Sequence, residues 1–201
     1  MLGQRHMGTS QPPNRFYVQA DCSLPSGAFS GGGFRESKAA TDTYTASPLN
    51  ATSGPTYNLP VSVQSYPITV GAGAPSKTSS ACASPGFGPN GGVSTFSTIT
   101  STGGGGGKTS NSPTGAGNGG SGGGGAGSGS TTAGTGNTPP VSPPQGNPGG
   151  PASSNGGGGG GGIGSAGGPG SANGGTGGSG ASSCITASSV ARGGGGGGGT
   201  R

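Results

Sequence analysis

The sequence contains few of the residues that build an ordinary hydrophobic core. Leucine, isoleucine, valine and phenylalanine together supply 20 of the 201 residues, and tryptophan is absent. Ordering a residue costs roughly 1–2 kcal/mol of conformational entropy, which a chain with so little apolar surface usually cannot offset by burial. A conventional core therefore cannot order the whole chain.

Charge is also scarce. Eight basic and three acidic residues give a net charge of +5, and only 5% of the residues are charged. The acidic residues are Asp21, Glu36 and Asp42. Because so little charge causes little self-repulsion, the polar backbone is free to associate with itself. The basic residues are spread along the chain rather than clustered, so we expect no nucleic acid partner.

Cysteine and histidine are too few and too scattered to indicate a reactive site. Cys22, Cys82 and Cys184 lie far apart without a CxxC pair. They are interpreted as free thiols, or as one disulfide plus a spare cysteine if the protein is extracellular. His6 is the only histidine. The chain therefore has no recognised His/Cys spacing for a zinc site, and a Ser-His-Asp arrangement would have to use His6. We expect no enzyme activity and no catalytic, cofactor-binding or metal-binding residues.

Long apolar runs are missing too. No stretch of roughly 18 apolar residues occurs, so we expect no membrane span. The N-terminal sequence MLGQRHMGTSQPPNRF lacks the apolar middle region of a secretory signal, so export by the ordinary pathway is not expected.

Glycine and proline dominate what is present. They supply 56 and 18 residues, a level typical of low-complexity sequence, and the glycine runs are residues 103–107, 122–125, 156–162 and 193–199. Such density opposes helix nucleation, and the strict every-third glycine of collagen is absent. Two states stay open for residues 103–201. They are a flexible linker, or polyglycine helices of three residues per turn whose backbone groups pair laterally because no Cβ keeps the chains apart.

Two β-rich runs precede the glycine region. Residues 61–70 (VSVQSYPITV) place Tyr66, Ile68 and Val70 on one face, while the flanking and internal prolines limit the run to a sheet edge or to two short strands. Residues 93–102 (VSTFSTITST) form the second run. We expect the two runs to pair across a loop that is too long for a tight hairpin.

Two weaker strand signals complete the pattern. Residues 15–20 could form a short strand, and residues 184–191 (CITASSVA) indicate a last strand pair or turn. The predicted fold class is mainly β and irregular, with short strands, polyglycine II-like or disordered glycine coils, and essentially no helix. We predict four zones. Residues 1–30 are an atypical N-terminal segment, and residues 31–102 are a small β-rich unit. Residues 103–181 are a Gly/Ser/Pro low-complexity region with an extended proline segment at 139–144, and residues 182–201 are a terminal strand or turn with a glycine tail.

Three motifs suggest chemistry but lack its context. TGGGGGKT at residues 102–109 resembles a phosphate-binding loop, yet Thr102 stands where glycine is required and SNSPTGAGNGG cannot form the helix that should follow. Arg192 before seven glycines resembles a single RGG element, although true RGG segments repeat the arginine. Asn50-Ala51-Thr52 is a glycosylation sequon, which matters only in a eukaryotic secretory setting.

The aromatic residues are concentrated in the predicted β-rich unit. Phe29, Phe34, Tyr44, Tyr57, Tyr66, Phe87 and Phe96 all lie between residues 29 and 96. They are interpreted as a small core, with a glycan-stacking surface as the alternative, since aromatic rings present an apolar face and polar rim.

Taken together, four segments resemble the glycine-rich domain of bacteriophage tail-fibre and tail-tip proteins. YPITVGAGAP (66–75) and STFSTITSTGGGGG (94–107) are similar to its YxIxVGAGG and STFGxIxAxGGGGG strands. GGGFRESK (31–38) resembles the GGxGGYRES element, and SSCITASSVARGGGGGGG (182–199) resembles the SxITGSxVxxGGGGG end. Residues 1–30 depart from the family, because they lack its opening apolar strand and long glycine stretch.

The resemblance implies a virion protein with a β-rich body and polyglycine segments. Its role would lie in fibre structure or in contact with the host surface. The implied partners are other virion or tail proteins, further copies of the chain in a homotrimer, and a host-surface glycan. Two other classes stay open from the composition: an extracellular or cell-wall glycine-rich structural protein, and a disordered RGG-like RNA-binding segment.

Overall fold

The structure is a computed structural model that describes residues 27–38, 40, 42–52, 62–75, 88–109, 114–127 and 131–200. The predicted strand at residues 15–20, and the residues His6, Cys22 and Cys82, lie outside this part of the chain.

Short strands and irregular segments make up the described fold, and no helix occurs in it. The strands are β1 (Glu36–Ser37), β2 (Asn50–Ala51), β3 (Ile68–Thr69), β4 (Ser94–Phe96), β5 (Ile99–Ser101), β6 (Ala181–Ser183) and β7 (Val190–Arg192). They form a parallel pair β1-β2, an antiparallel sheet in the order β3-β4-β5, and an antiparallel hairpin β6-β7. The predicted fold class, mainly β and irregular, is confirmed.

The two β-rich runs pair as expected. Ile68 of β3 lies opposite Phe96 of β4, and Thr69 lies opposite Thr95. The second run is not one strand, however. It turns back at Ser97, whose φ of 51° is left-handed, so that Phe96 also lies opposite Ile99 of β5. A short meander therefore replaces the predicted pair of strands.

Residues 156–162, here called the central segment, are buried along their whole length. Their N–H groups donate in three directions that repeat every third residue: Gly157 and Gly160 to Gly199 and Gly196, Gly158 and Gly161 to Gly125 and Gly122, Gly159 and Gly162 to Gly168 and Ser165. Their carbonyl groups accept in three further directions: Gly157 and Gly160 from Gly175 and Gly178, Gly158 and Gly161 from Ala28 and Gly31, Gly159 and Gly162 from Gly150 and Asn147.

This hydrogen-bond pattern identifies a bundle of extended chains. A repeat of three residues is that of a polyproline-II-type helix, which leaves its own backbone groups free to pair outwards. The central segment thus has six neighbouring segments, joined by N···O distances of 2.8–3.2 Å. The glycine coils in the described residues follow the polyglycine II-like alternative rather than the flexible linker.

Glycine is required here because neighbouring backbones come so close. A Cβ on Gly158 would overlap the carbonyl oxygen of Gly150, and one on Gly159 would overlap that of Thr176. Among the described glycines, only Gly193 has a left-handed φ, at 65°. The rest of the bundle therefore depends on the missing side chain, not on the unusual φ angles that glycine permits.

The prediction of an aromatic core is wrong for the described residues. The buried apolar side chains are five alanines and one isoleucine: Ala28, Ala51, Ala116, Ala126, Ala181 and Ile163. Phe29 is exposed, and Phe34, Tyr44, Tyr66 and Phe96 are only half-buried. Burial is instead concentrated in glycine backbone, where hydrogen bonds replace side-chain packing.

The strands lie at one end of the bundle. Residues 28–31 and 175–178 run parallel to the central segment and lead into β1 and β6. Residues 193–199 run antiparallel to it and leave β7, while residues 105–108 run antiparallel to residues 27–30 and leave β5. Segments therefore approach and leave the strands at the same end, here called the β end.

The proline segment is not extended as predicted. Asn137 Oδ1 accepts hydrogen bonds from the N–H groups of Val141 and Gln145, and Asn137 Nδ2 donates to the Val141 carbonyl. The Thr138–Pro139 and Ser142–Pro143 peptide bonds are cis. Residues 137–145, here called the proline loop, are thereby folded back on themselves.

Candidate functional site

The β end carries the exposed apolar side chains of the small sheet. Ile68, Phe96 and Ile99 lie opposite one another across β3, β4 and β5, so their side chains share a face. The Tyr66 ring packs against Phe96 with ring centres 5.6 Å apart. Ile68 is 69% exposed, and Val70 is 85% exposed. This apolar row, edged by serine and threonine, is therefore exposed at Ile68 and Val70 and half-buried at Tyr66, Phe96 and Ile99.

A second apolar group lies on the β6-β7 hairpin. Ile185, which lies in the turn between β6 and β7, is 56% exposed, and Val190 is also exposed. The predicted strand pair or turn at residues 184–191 is found as this turn together with β7, and β6 begins a few residues earlier.

Glu36 joins this hairpin to β1. Its buried carboxylate accepts a hydrogen bond from Ser183 Oγ and another, of 2.8 Å, from the Ser47 backbone N–H. The Cys184 N–H donates to the Thr45 carbonyl over 2.9 Å, which holds the hairpin against the same stretch of chain. Three separate parts of the sequence thus meet at one acidic group.

The surroundings of Glu36 favour its charged form. Burial raises the pKa of the carboxyl, but hydrogen bonds from Ser183, Ser47 and Tyr44 outweigh that effect and bring the pKa below its usual value of 4.5. Burial and then the negative charge of Glu36 raise the pKa of Tyr44. The Lys38 Nζ lies 5.5 Å from the centre of the Tyr44 ring, a cation–π contact at the edge of the cluster.

A cavity of about 40 Å³ lies beside Glu36. It is lined by Arg35, Glu36, Ser37 and Ile99, and so lies between β1 and β5. Pockets for small organic ligands usually measure about 300–1,000 Å³, whereas about 10–15 Å³ is enough for one water molecule. This cavity can hold water but not a substrate.

Gln145 ties the proline loop to the rest of the β end. Its side chain is buried, with Oε1 accepting from the Thr102 N–H at 2.9 Å and Nε2 donating to the Pro139 carbonyl at 3.0 Å. Its own carbonyl accepts from the Phe34 N–H at 2.9 Å. Sequence reasoning did not single out Gln145, although it is the only glutamine within the low-complexity region.

The loop-like motif at residues 102–109 has its backbone groups engaged within the protein. The N–H groups of Gly105 and Lys108 donate to the Ser121 and Gly124 carbonyls, and that of Gly106 donates to Asn90 Oδ1. Lys108 is fully buried, and burial lowers its pKa. Three of the amides in this motif are therefore already bonded to protein oxygens rather than free to bind a phosphate.

The remaining sequence motifs have structural surroundings of their own. Arg192 lies in β7 and donates to the Val190 carbonyl, and the glycines that follow it belong to the bundle rather than to a flexible tail. Asn50 of the sequon lies in β2 with its Oδ1 buried. Cys184 is half-buried and carries a free thiol.

Across the described ranges, no group of three or more histidine, cysteine, aspartate or glutamate side chains is placed to hold a metal ion. No helix in the described part of the chain is long and apolar enough to cross a membrane.

A backbone-paired glycine bundle with small sheets at one end defines a glycine-rich β domain. A family model described as a glycine-rich domain matches residues 19–201. The chain therefore belongs to the glycine-rich domain family. Comparisons with curated proteins and with solved structures gave no match.

Proposed function

We propose that the chain is a structural glycine-rich module of a phage tail fibre or virion, whose β end contacts the host surface. The observation that carries this proposal is the gathering of the described strands and the proline loop at one end of a hydrogen-bonded bundle. Loops on a rigid scaffold are common sites of recognition. A bundle of this kind suits a module that is anchored in a particle and contacts a surface through its β end.

The motif resemblance supports the same proposal. Glu36 belongs to GGGFRESK and Ser183 belongs to SSCITASSVARGGGGGGG, and these two segments are joined by a buried hydrogen bond. The paired strand motifs likewise meet in the β3-β4-β5 sheet. The segments that resemble phage tail proteins are thus also the segments that form the β end.

A host-surface glycan is the ligand class that the exposed row fits. Tyr66 and Phe96 supply two half-buried aromatic rings that pack against each other, and Ile68 extends the apolar strip. Hydroxyl groups edge it, among them Ser94 Oγ, which accepts from the Gly71 N–H. Apolar strips with polar rims match the faces and hydroxyl edges of sugar rings.

Location is the first test. An antibody raised against the purified chain should label the tails of the phage particles that encode it, and electron microscopy should show this labelling. Labelling of a bacterial or other cell wall, with unlabelled particles, would favour the extracellular structural alternative instead.

Adsorption is the second test. The purified chain, added in excess, should compete with phage for attachment to host cells. The variant Ile68→Ser/Val70→Ser should compete poorly, because both side chains are exposed in the proposed contact. Gly73→Ala is the matched control nearby, since a Cβ there has no atom within 4 Å. Equal competition by all three proteins would contradict contact through this sheet.

A further inference from the structure

Residues 193–199, here called the edge segment, use only part of their hydrogen-bonding capacity. The carbonyls of Gly196 and Gly199 accept from the central segment, and the N–H groups of Gly195 and Gly198 donate to Gly178 and Gly175. Within the described residues, no group pairs with the N–H or carbonyl of Gly194 or Gly197. The unpaired N–H groups recur every third residue and so lie along one line of the helix, and the unpaired carbonyl groups lie along a second line.

The space beside this line is open. Gly194 and Gly197 are both exposed. A Cβ would come no closer than 3.7 Å to another atom at Gly194 and 3.8 Å at Gly197. The two unpaired positions are about 9 Å apart, three times the rise of about 3.1 Å per residue. This spacing is one full repeat of the pairing that joins the other segments of the bundle.

A chain that continues that pairing must meet two conditions. It must be extended with three residues per turn, so that its groups recur at the same interval. It must also lack Cβ atoms where it faces the edge segment. Contacts inside the bundle show why, because a Cβ on Gly195 or Gly198 of the edge segment would overlap a carbonyl oxygen of the central segment. A second polyglycine segment meets both conditions.

We propose that the edge segment is a self-association surface and that its occupant is a polyglycine segment of a second copy of this chain. The edge segment carries both unpaired donors and unpaired acceptors, so the donors of one copy can pair with the acceptors of another. The exposed edge strands of β-sheets in monomeric proteins usually carry charged side chains or proline, which prevent pairing with another chain. The edge segment itself contains neither, since residues 193–199 are all glycine, and Arg192 precedes them.

The edge segment lies along the flank of the bundle, whereas the apolar row lies at the β end. Self-association at the edge therefore does not depend on what the β end contacts, and it would occur equally in a protein that is not part of a virion.

Sedimentation of the full chain over a concentration series tests the proposal. The wild-type chain should associate as its concentration rises. Gly194→Ala/Gly197→Ala should weaken association at least about tenfold, because two methyl groups would stand in the line of approach. Its melting temperature should stay that of the wild type, since both sites are open. Gly73→Ala should associate like the wild type.

Amide exchange in the wild type provides a second readout that does not rely on the variants. The Gly194 and Gly197 amides should exchange quickly in dilute solution and more slowly as concentration rises. A wild-type chain that stays monomeric at its highest soluble concentration would overturn the proposal. So would association that leaves these two amides unprotected, or protection that appears only after another glycine-rich protein is added.

Discussion

Ser183 Oγ donates a buried hydrogen bond to the Glu36 carboxylate, and the two residues are 147 positions apart in the chain. This contact joins β6 to β1 and so links the first strand of the described fold to the β6-β7 hairpin at the β end. Few hydrophobic side chains are buried nearby, so we expect this polar contact to carry a large share of the local stability.

Replacing Glu36 by glutamine should lower the free energy of unfolding by about 1.5–3 kcal/mol, the range for a hydrogen bond to a charged group. Ser183→Ala removes one donor from the same carboxylate. If the two side chains stabilise the fold through each other, the double variant should be clearly less destabilised than the sum of the single variants. Chemical denaturation at neutral pH measures all three, and strict additivity would argue against the coupling.

The pH dependence of stability should follow from the same group. The pKa of Glu36 lies below 4.5 in the folded state, so its contribution is fully present above the unfolded value. It is lost as the pH falls through the folded pKa. Thermal unfolding scans from neutral pH into acid should show a loss of stability that is smaller in Glu36→Gln. An identical acid profile in the variant would assign the loss to other groups.

Placing a methyl group inside the bundle should be far more damaging than placing one on its surface. Gly158→Ala puts a Cβ into the carbonyl oxygen of Gly150, and we expect a loss of about 3 kcal/mol or more, or failure to fold. Gly73→Ala should be neutral or stabilising by about 0.4–1 kcal/mol, because the unfolded chain loses freedom and the folded one meets no clash. Similar melting temperatures for the two variants would contradict backbone packing around the central segment.

Amide exchange should show a three-residue pattern within a run of seven identical residues. In dilute solution the amides of Gly195, Gly196 and Gly198 should be protected, since each donates to a carbonyl of another segment. Those of Gly194 and Gly197 should exchange quickly. Residue-resolved NMR exchange measures both groups. Exchange of the whole run within seconds would instead describe a flexible glycine linker.

Gln145 should be essential to the fold of the proline loop. Gln145→Ala leaves the Thr102 N–H and the Pro139 carbonyl without their partner, which should cost about 1–3 kcal/mol for each group that stays buried. Gln145→Glu keeps the acceptor but sets a carboxylate oxygen against the Pro139 carbonyl. Its destabilisation relative to the wild type should therefore shrink in acid, where the carboxyl is protonated and can donate. Equal destabilisation at both pH values would contradict this geometry.

The sequence predicted the parts of the fold that depend on local chemistry. Dense glycine and proline exclude helix, and the two β-rich runs predicted the pairing that is found between β3 and β4, whereas the second run was expected to be one strand and not β4 and β5. The tight turn at Ser97 was missed, because serine carries no strong signal for a left-handed φ. The proline segment was predicted to be extended, since the side-chain hydrogen bonds of Asn137 that fold it back cannot be read from composition.

The sequence alone determined that side-chain burial could not order this chain, and that backbone pairing of glycine was the available substitute. It left open whether that pairing forms, because a single glycine run is equally compatible with a flexible coil. The tertiary structure decided this, since the central segment pairs with six other segments, several of them distant in sequence. It also decided which residues meet at the β end: Ser183 reaches Glu36, and Gln145 reaches Thr102, only after the bundle has set the direction of every segment.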